Sequence, residues 1–149
     1  MTAIIFIGIP ASGKSTFYRW RFFDTHIRIN LDMLKTRHRE KLLFQACIAA
    51  KQPFVIDNTN ASAAERKRII TPARDAGFKV IGYYFGSKVQ EALERNRQRE
   101  GRARIADKGV MGAAGRLELP ALAEGFDELW YVRMDGMGGF CVEEWKNEI

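Results

Sequence analysis

Cysteine is scarce in this sequence: only Cys47 and Cys141 occur among 149 residues. Two cysteines so far apart are too few for a disulfide framework or a thiolate metal cluster, which predicts reduced thiols and a cytoplasmic location. The two histidines do not stand at a metal-ligand spacing. No stretch approaches the roughly 18 unbroken apolar residues of a membrane span, and no basic segment leads into a small-residue cleavage site. We therefore predict neither a membrane partner nor a secretory signal.

Acidic residues are fewer than basic ones, 18 Asp and Glu against 24 Lys and Arg, which gives a formal net charge of +6. A basic balance favours an anionic partner such as nucleic acid. The same balance is common in proteins that bind only nucleotides, so charge alone leaves both readings open.

The chain also lacks repeats, low-complexity tracts and linkers, and its length predicts one domain over residues 1–149. Strands are predicted at 3–8, 26–30, 53–60, 78–85 and 127–134, and helices at 14–23, 31–52, 62–77 and 88–100. Pro72 lies inside the third helix and predicts a kink or break there. Alternating strands and helices predict an α/β fold with a mostly parallel sheet of four to five strands and helices on both faces.

A glycine-rich loop, GIPASGKST at 8–16, follows the first predicted strand and opens the first helix. It fills the pattern G-x-x-x-x-G-K-[ST], in which backbone N–H groups surround phosphate oxygens, the lysine reaches the β- and γ-phosphates and the hydroxyl binds Mg²⁺. The fold is therefore predicted to be a P-loop NTPase with ATP and Mg²⁺ as cofactors. The cofactor-binding candidates are Gly8, Pro10, Ala11, Ser12, Gly13, Lys14, Ser15, Thr16 and, further along, Arg95.

The N-K-x-D motif by which GTPases read their base is absent, and a large ATPase module needs more chain. A small phosphotransferase fits the length, and it needs a base, a group that holds the acceptor, and cations over the moving phosphoryl group. Asp32, just beyond the second predicted strand, is the candidate catalytic base. The alternative is an aspartate that only complements a helix dipole. Lys35 shares its predicted helix face and is the candidate holder of an anionic acceptor group.

Arginines crowd the segment from 95 to 104, which predicts an arginine-rich lid over ATP at about residues 95–115. If the helix continues, Arg95, Arg99 and Arg102 lie on one face, and Arg99 and Arg102 are the candidate catalytic cations. The alternative is a solvated basic helix face.

Asp57 ends the third predicted strand, within VIDNTN at 55–60. This strand is expected to neighbour the one that feeds the phosphate loop. Asp57 and Ser15 are therefore candidate metal ligands, and Asp57 and Asn60 are candidate substrate-binding residues. The alternative is ordinary turn chemistry.

The ordered set of motifs resembles the bacteriophage and bacterial polynucleotide 5'-hydroxyl kinases. GIPASGKST is similar to their phosphate loop, NLDMLK to their Asp-x-x-Arg element and VIDNTN to their Asp-x-Thr-Asn strand end. ERNRQREGR is similar to their lid, and LAEGFDELWYV to the closing helix and strand. The resemblance covers about residues 3–133.

This resemblance implies an ATP-dependent kinase that transfers the γ-phosphoryl group to the 5'-hydroxyl of DNA or RNA, as in nucleic acid repair. The implied roles are Asp32 as general base, Lys14 and Ser15 as phosphate and Mg²⁺ residues, Lys35 as clamp on the 3'-phosphate, and Arg99 or Arg102 as transition-state arginine. Lys35 stands where the family has arginine, so a point charge replaces a bidentate fork. Two alternatives stay open: a kinase for a sugar acid, nucleoside or antibiotic, and a non-catalytic ATP-binding regulator.

Overall fold

A computed structural model describes residues 1–86, 89–101 and 105–146. Within them, one sheet is formed by β1 (Thr2–Ile7), β2 (Ile27–Ile29), β3 (Phe54–Asp57), β4 (Lys79–Phe85), β5 (Glu128–Met134) and β6 (Phe140–Glu144). The helices are α1 (Lys14–Arg21), α2 (Leu31–Leu34), α3 (Arg37–Ala50), α4 (Ala63–Asp75), α5 (Val89–Arg97) and α6 (Asp107–Arg116), and Leu122–Glu124 form a 3₁₀ helix. No helix of the described segments is long and apolar enough to cross a membrane.

The strand order is β2-β3-β1-β4-β5-β6, and every neighbouring pair except β5–β6 is parallel. The predicted P-loop NTPase architecture is therefore confirmed. The prediction of four to five strands is wrong, because the described residues form a sixth strand, β6. This strand follows β5 through a glycine-rich turn and runs antiparallel to it. Its FCVEE sequence lacks the continuous apolar run of a buried parallel strand, because it lies at the edge and is only partly buried.

Both faces of the sheet are covered, as the alternation of strands and helices predicts. Along β1, Ile5 and Ile7 point to the face where α3 and α4 pack, and Ile4 and Phe6 point to the opposite face. There Phe6 contacts Phe17 of α1, with ring centroids 5.8 Å apart. Burial on both faces explains why β1 is apolar along its length.

The single helix predicted over 31–52 is wrong, because the chain breaks between α2 and α3. Lys35 adopts a positive φ of 74° outside the helix, and Thr36 caps α3 by accepting a hydrogen bond from the N–H of Arg39 at 3.1 Å. A threonine that caps the next helix competes with helix continuation. Lys35 therefore does not extend the helical face of Asp32.

Two further predictions about helices need correction. The predicted break at Pro72 does not occur, since α4 continues to Asp75 and a proline in the last turn removes one hydrogen bond. At the lid, α5 ends at Arg97, so Arg99 lies in the following turn, with its N–H bonded to Asn96 O. Arg95 and Arg99 therefore do not share a helix face.

Candidate active site

The phosphate loop connects β1 to α1 and packs against α5 and α6, in the segment predicted to form a lid. Ile9 and Ala11 are buried against α5 and α6, and the N–H of Gly8 donates to Thr59 O at 3.1 Å. Gly13 has a φ of 98°, and a Cβ there would lie 2.5 Å from the Met134 side chain. Only glycine meets both conditions without strain. Ser12 Oγ is buried and has no hydrogen-bond partner in the described part of the chain, so it is available to a phosphate oxygen.

Lys14 begins α1 and folds its ammonium onto the loop. Nζ donates to Gly8 O and Ile9 O, both at 2.9 Å. Burial lowers the pKa of Lys14 from its ordinary 10.5 to about 8. The charge of Arg99 also lowers this pKa, whereas the charges of Asp57 and Asp32 raise it. Two carboxylates and a guanidinium thus act on one ammonium.

Ser15 and Asp57 meet at the end of β3. Ser15 Oγ donates to Asp57 Oδ2 at 3.0 Å, and Asp57 is only 1% exposed. Its Oδ1 is buried without a hydrogen-bond partner among the described residues. A hydroxyl and a carboxylate are the hard oxygen ligands that Mg²⁺ prefers. No cluster of three or more His, Cys, Asp or Glu in the described segments suits a metal, so an ion held by Ser15 and Asp57 would need further ligands from phosphate and water.

The strand that carries Asp57 pairs with β1, with Phe6 opposite Asp57. The predicted neighbourhood of these two strands is therefore confirmed. Because parallel strands end at the same edge of the sheet, the ends of β1, β2 and β3 place the phosphate loop, α2 and Asp57 together.

Asp32 lies on α2, which is held by two asparagines. Asn30 caps α2 by accepting from Met33 N at 2.9 Å, and its amide donates to Asp57 O at 2.6 Å. Asn58 Oδ1 accepts from Leu31 N at 2.8 Å. The position of Asp32 is thus tied to the end of β3.

A cleft of about 1290 Å³ joins these groups, and Asp32, Lys14, Ser15, Asp57 and Arg99 all line it. Asp32 is exposed within this cleft rather than covered by packed protein. Asp32 and the phosphate loop therefore face one open space.

The cleft continues between α3 and α4 as a groove, which we call the α3–α4 groove. Its walls carry Arg37, Lys41, Phe44 and Ile48 from α3, and Arg68, Ile69 and Pro72 from α4. Lys35, the predicted anion holder, is exposed and is not among the residues that line the cleft. Asn60 lines the cleft, but its amide donates to Phe6 O at 2.7 Å, so this donor supports the fold.

The predicted lid is described in part. Arg95 Nε donates to Ala11 O of the phosphate loop at 2.6 Å, and the amide of Asn96 bonds both backbone groups of Ile105. Burial lowers the pKa of Arg99, as does the charge of Arg95, while Asp32 and Asp57 raise it. Arg102, the second predicted catalytic arginine, lies outside the described residues.

Sequence reasoning missed Arg28 in β2. Arg28 Nε donates to Asp57 Oδ2, and Nη2 donates to Ser15 Oγ, both at 2.8 Å. A signal was present, because an arginine between Ile27 and Ile29 points to the opposite sheet face from its neighbours, and Asp57 lies on that face of β3.

It also missed Asn58 and Arg66. Asn58 joins Leu31 to Glu40, whose Oε2 accepts from Asn58 Nδ2 at 2.8 Å. Arg66 is fully buried, paired with Glu124 at 2.8 Å, and Nη1 donates to Asn60 O at 2.9 Å. Both residues hold the segment that follows β3, and sequence spacing gives no sign of either contact.

The fold, the phosphate loop and the carboxylates beside it define a P-loop kinase-like domain. The chain belongs to the AAA domain family, whose sequence profile matches residues 33–120. That match begins after the phosphate loop, so the loop is identified by its own pattern and geometry.

Comparison with individual proteins gives one curated relative and several structures of the same fold. The chain is 25% identical over 127 residues to the bifunctional polynucleotide phosphatase/kinase of Schizosaccharomyces pombe, covering 83% of this chain but 31% of that protein. Kti12 of Chaetomium thermophilum, in complex with ADP-AlF3, superposes with a TM-score of 0.65 at 20% identity over 89% of each chain. A gluconokinase of Sinorhizobium meliloti superposes at 0.61 and 16% identity, over 90% of this chain and 83% of that one. The two superpositions show a shared fold.

Proposed function

We propose that this protein is an ATP-dependent phosphotransferase that moves the γ-phosphoryl group of ATP to the 5'-hydroxyl of a polynucleotide. The observation that carries the proposal is the position of Asp32. It lines the same cleft as Lys14 and Ser15, and its charge acts on the pKa of both Lys14 and Arg99. A carboxylate facing a triphosphate loop across open space is the arrangement that activates an acceptor hydroxyl.

Each charged group then has one part in the transfer. Asp32 accepts the proton of the acceptor hydroxyl while the hydroxyl oxygen forms a bond to the γ-phosphorus. The bond between the γ-phosphorus and the β–γ bridging oxygen breaks at the same time, and ADP leaves. Lys14 and Arg99 stabilise the negative charge of the moving phosphoryl group. Ser15 and Asp57 would hold Mg²⁺, which would supply positive charge to neutralise the phosphates.

The α3–α4 groove supports a polynucleotide as the acceptor. Within the described part of the chain, neither Lys41 nor Arg68 forms an ion pair with a carboxylate, so both charges are available to phosphates. Phe44 and Ile69 add apolar surface on which a base packs. The polynucleotide phosphatase/kinase similarity, over 83% of this chain, points to the same acceptor. In this arrangement Lys41 and Arg68 hold anionic groups of the acceptor, a role that was predicted for Lys35.

A kinase for a small hydroxylated acid is the second candidate, favoured by a gluconokinase superposing over 83% of its length. Both candidates use the same phosphate loop and base. They differ in what occupies the α3–α4 groove, because a small acid does not extend along both of its walls, where Lys41 and Arg68 lie.

The deciding experiment offers γ-labelled ATP and Mg²⁺ with a panel of acceptors: RNA and DNA with 5'-hydroxyl ends, a nucleoside 3'-monophosphate, and gluconate with other sugars. We expect label on an oligonucleotide 5' end. Label on sugars alone overturns the polynucleotide acceptor and supports the second candidate. ATP binding with no transfer to any acceptor supports the regulator.

A further inference from the structure

Arg28 occupies the two groups that fit a magnesium ion. Its guanidinium contacts Asp57 Oδ2 and Ser15 Oγ at 2.8 Å each. Asp57 is almost fully buried, and the Arg28 side chain remains 26% exposed where it lines the cleft. A cation thus already sits beside the carboxylate and hydroxyl that a metal would use.

A divalent ion bound to Ser15 Oγ would lie within about 5 Å of this guanidinium, given a metal–oxygen distance of roughly 2.1 Å. Two positive charges at that distance disfavour each other in a partly buried site. The acidic side chain of the site is already paired, so a free Mg²⁺ gains little there. A triphosphate changes this balance because its oxygens bring several negative charges and further metal ligands.

We propose that Arg28 is a cation placeholder that neutralises Asp57 in the nucleotide-free protein and makes Mg²⁺ binding depend on the triphosphate. Without nucleotide, Arg28 holds Ser15 and Asp57 together and excludes the free metal. With nucleotide bound, the phosphates would supply further ligands, and Ser15 Oγ and Asp57 would hold the metal in place of Arg28. The proposal rests on the nucleotide site of the proposed function and is independent of the acceptor.

The test compares wild type, Arg28→Met and Arg28→Lys as full chains without nucleotide, at constant ionic strength. The melting temperature is followed as Mg²⁺ is added, and Mn²⁺ binding is measured by electron paramagnetic resonance. Arg133→Met is the matched control, because it breaks an exposed pair with Glu143 on the neighbouring strands β5 and β6, and neither residue lines the cleft. A non-hydrolysable ATP analogue is then added to each protein.

We expect Mg²⁺ alone to leave the melting temperature of the wild type and of Arg133→Met unchanged. Arg28→Met should melt about 5 °C lower, since it leaves a buried carboxylate unpaired. Mg²⁺ alone should restore most of that loss, and Mn²⁺ should bind about tenfold more tightly than to wild type. Arg28→Lys should lie between the two. With the ATP analogue, all four proteins should bind the metal.

Wild type that binds Mn²⁺ without nucleotide as tightly as Arg28→Met overturns the proposal. Recovery of the Arg28→Met melting temperature with Na⁺ at equal ionic strength also overturns it, because that result would show charge screening instead of metal binding. If Arg28→Met does not fold, the comparison of Mn²⁺ affinity between wild type and Arg28→Lys tests the proposal. Equal affinities without nucleotide overturn it. Because none of these measurements involves an acceptor, a failed acceptor panel with intact metal results contradicts the proposed function alone.

Discussion

At the scale of single residues, the site brings like and unlike charges together in partly buried surroundings. Lys14 donates to two loop carbonyls, and burial leaves its ammonium less stable than in water. Asp32 and Asp57 offset part of that cost, and Arg99 adds to it. A bound triphosphate supplies the negative charge that this lysine lacks.

The lowered pKa of Lys14 predicts how nucleotide affinity depends on pH. Phosphates favour the charged ammonium, so binding raises the pKa of Lys14 above its free value of about 8. Affinity should therefore be constant below that pH and fall above it, with a proton taken up on binding. Titration calorimetry in buffers of different ionisation enthalpy measures both effects.

Lys14→Met is the control for this titration, because it removes the ammonium and should abolish the pH dependence along with most of the affinity. A wild-type affinity that does not change between about pH 7 and about pH 9 contradicts the assignment of Lys14 to the phosphates.

At the scale of elements, the position of the proposed base depends on a four-residue helix. A helix as short as α2 is not stable alone, and its contacts with Asn30 and Asn58 hold it on the end of β3. Asn58 also reaches Glu40 on α3, so the helix is supported from two sides.

Removing Asn58 should therefore slow transfer without weakening nucleotide binding. Asn58→Ala loses two hydrogen bonds, each worth about 1 kcal/mol, and lets α2 move. We expect kcat to fall about tenfold with the KM for ATP unchanged, as measured by steady-state kinetics.

A rescue variant distinguishes this role from general instability. Asn58→Asp should be as slow as Asn58→Ala, because it sets a carboxylate against Glu40. Combining it with Glu40→Gln restores a donor and an acceptor, and kcat should recover. A double variant as slow as Asn58→Asp contradicts the positioning role.

Local patterns predicted the elements that local chemistry determines. The phosphate loop and the polar residues that follow β2 and β3 were predicted, since each depends on near neighbours along the chain. The break at Lys35 was missed because helix-favouring residues lie on both sides of it. The edge strand β6 was missed because its pairing with β5 depends on tertiary contact.

The candidate site was predictable to a similar extent. Asp32, Ser15 and Asp57 follow strands that end at one edge, so topology alone brings them together. The contacts of Arg28 with Asp57 and of Asn58 with Glu40 join residues 29 and 18 positions apart. Alternation along β2 indicates the sheet face of Arg28, but its pairing with Asp57 also needs the register of β2 against β3. The contact of Asn58 with Glu40 depends on helix packing, for which the sequence spacing gives no sign.

At the scale of the whole molecule, part of the basic charge of this chain, whose net charge is +6, lies in the α3–α4 groove. Lys41 and Arg68 stand on opposite walls of the α3–α4 groove, which opens from the phosphate site. A strand in the groove would contact both walls while its 5' end faces Asp32. Under the proposed function, these two charges would contact the phosphates of the acceptor.

Reversing these two charges should weaken acceptor binding and leave the nucleotide site intact. We expect Lys41→Glu with Arg68→Glu to raise the KM for an oligonucleotide at least about tenfold, and to reduce the slope of log KM against log salt by about two. Steady-state kinetics at several salt concentrations measure both.

Lys67→Glu is the matched control for the groove. Lys67 neighbours Arg68 on α4 but is exposed outside the cleft, so its reversal should change neither quantity. Equal effects of Lys67→Glu and of the double reversal would show general electrostatic attraction and contradict a defined groove.

The most direct test is single-turnover phosphoryl transfer from labelled ATP to a 5'-hydroxyl oligonucleotide by wild type, Asp32→Asn and the exposed control Asp24→Asn. Asp32→Asn keeps the shape of the side chain but cannot accept the proton. We predict a transfer rate at least about 100-fold lower for Asp32→Asn, with ATP affinity unchanged and Asp24→Asn equal to wild type. Transfer by Asp32→Asn at the wild-type rate would contradict the account.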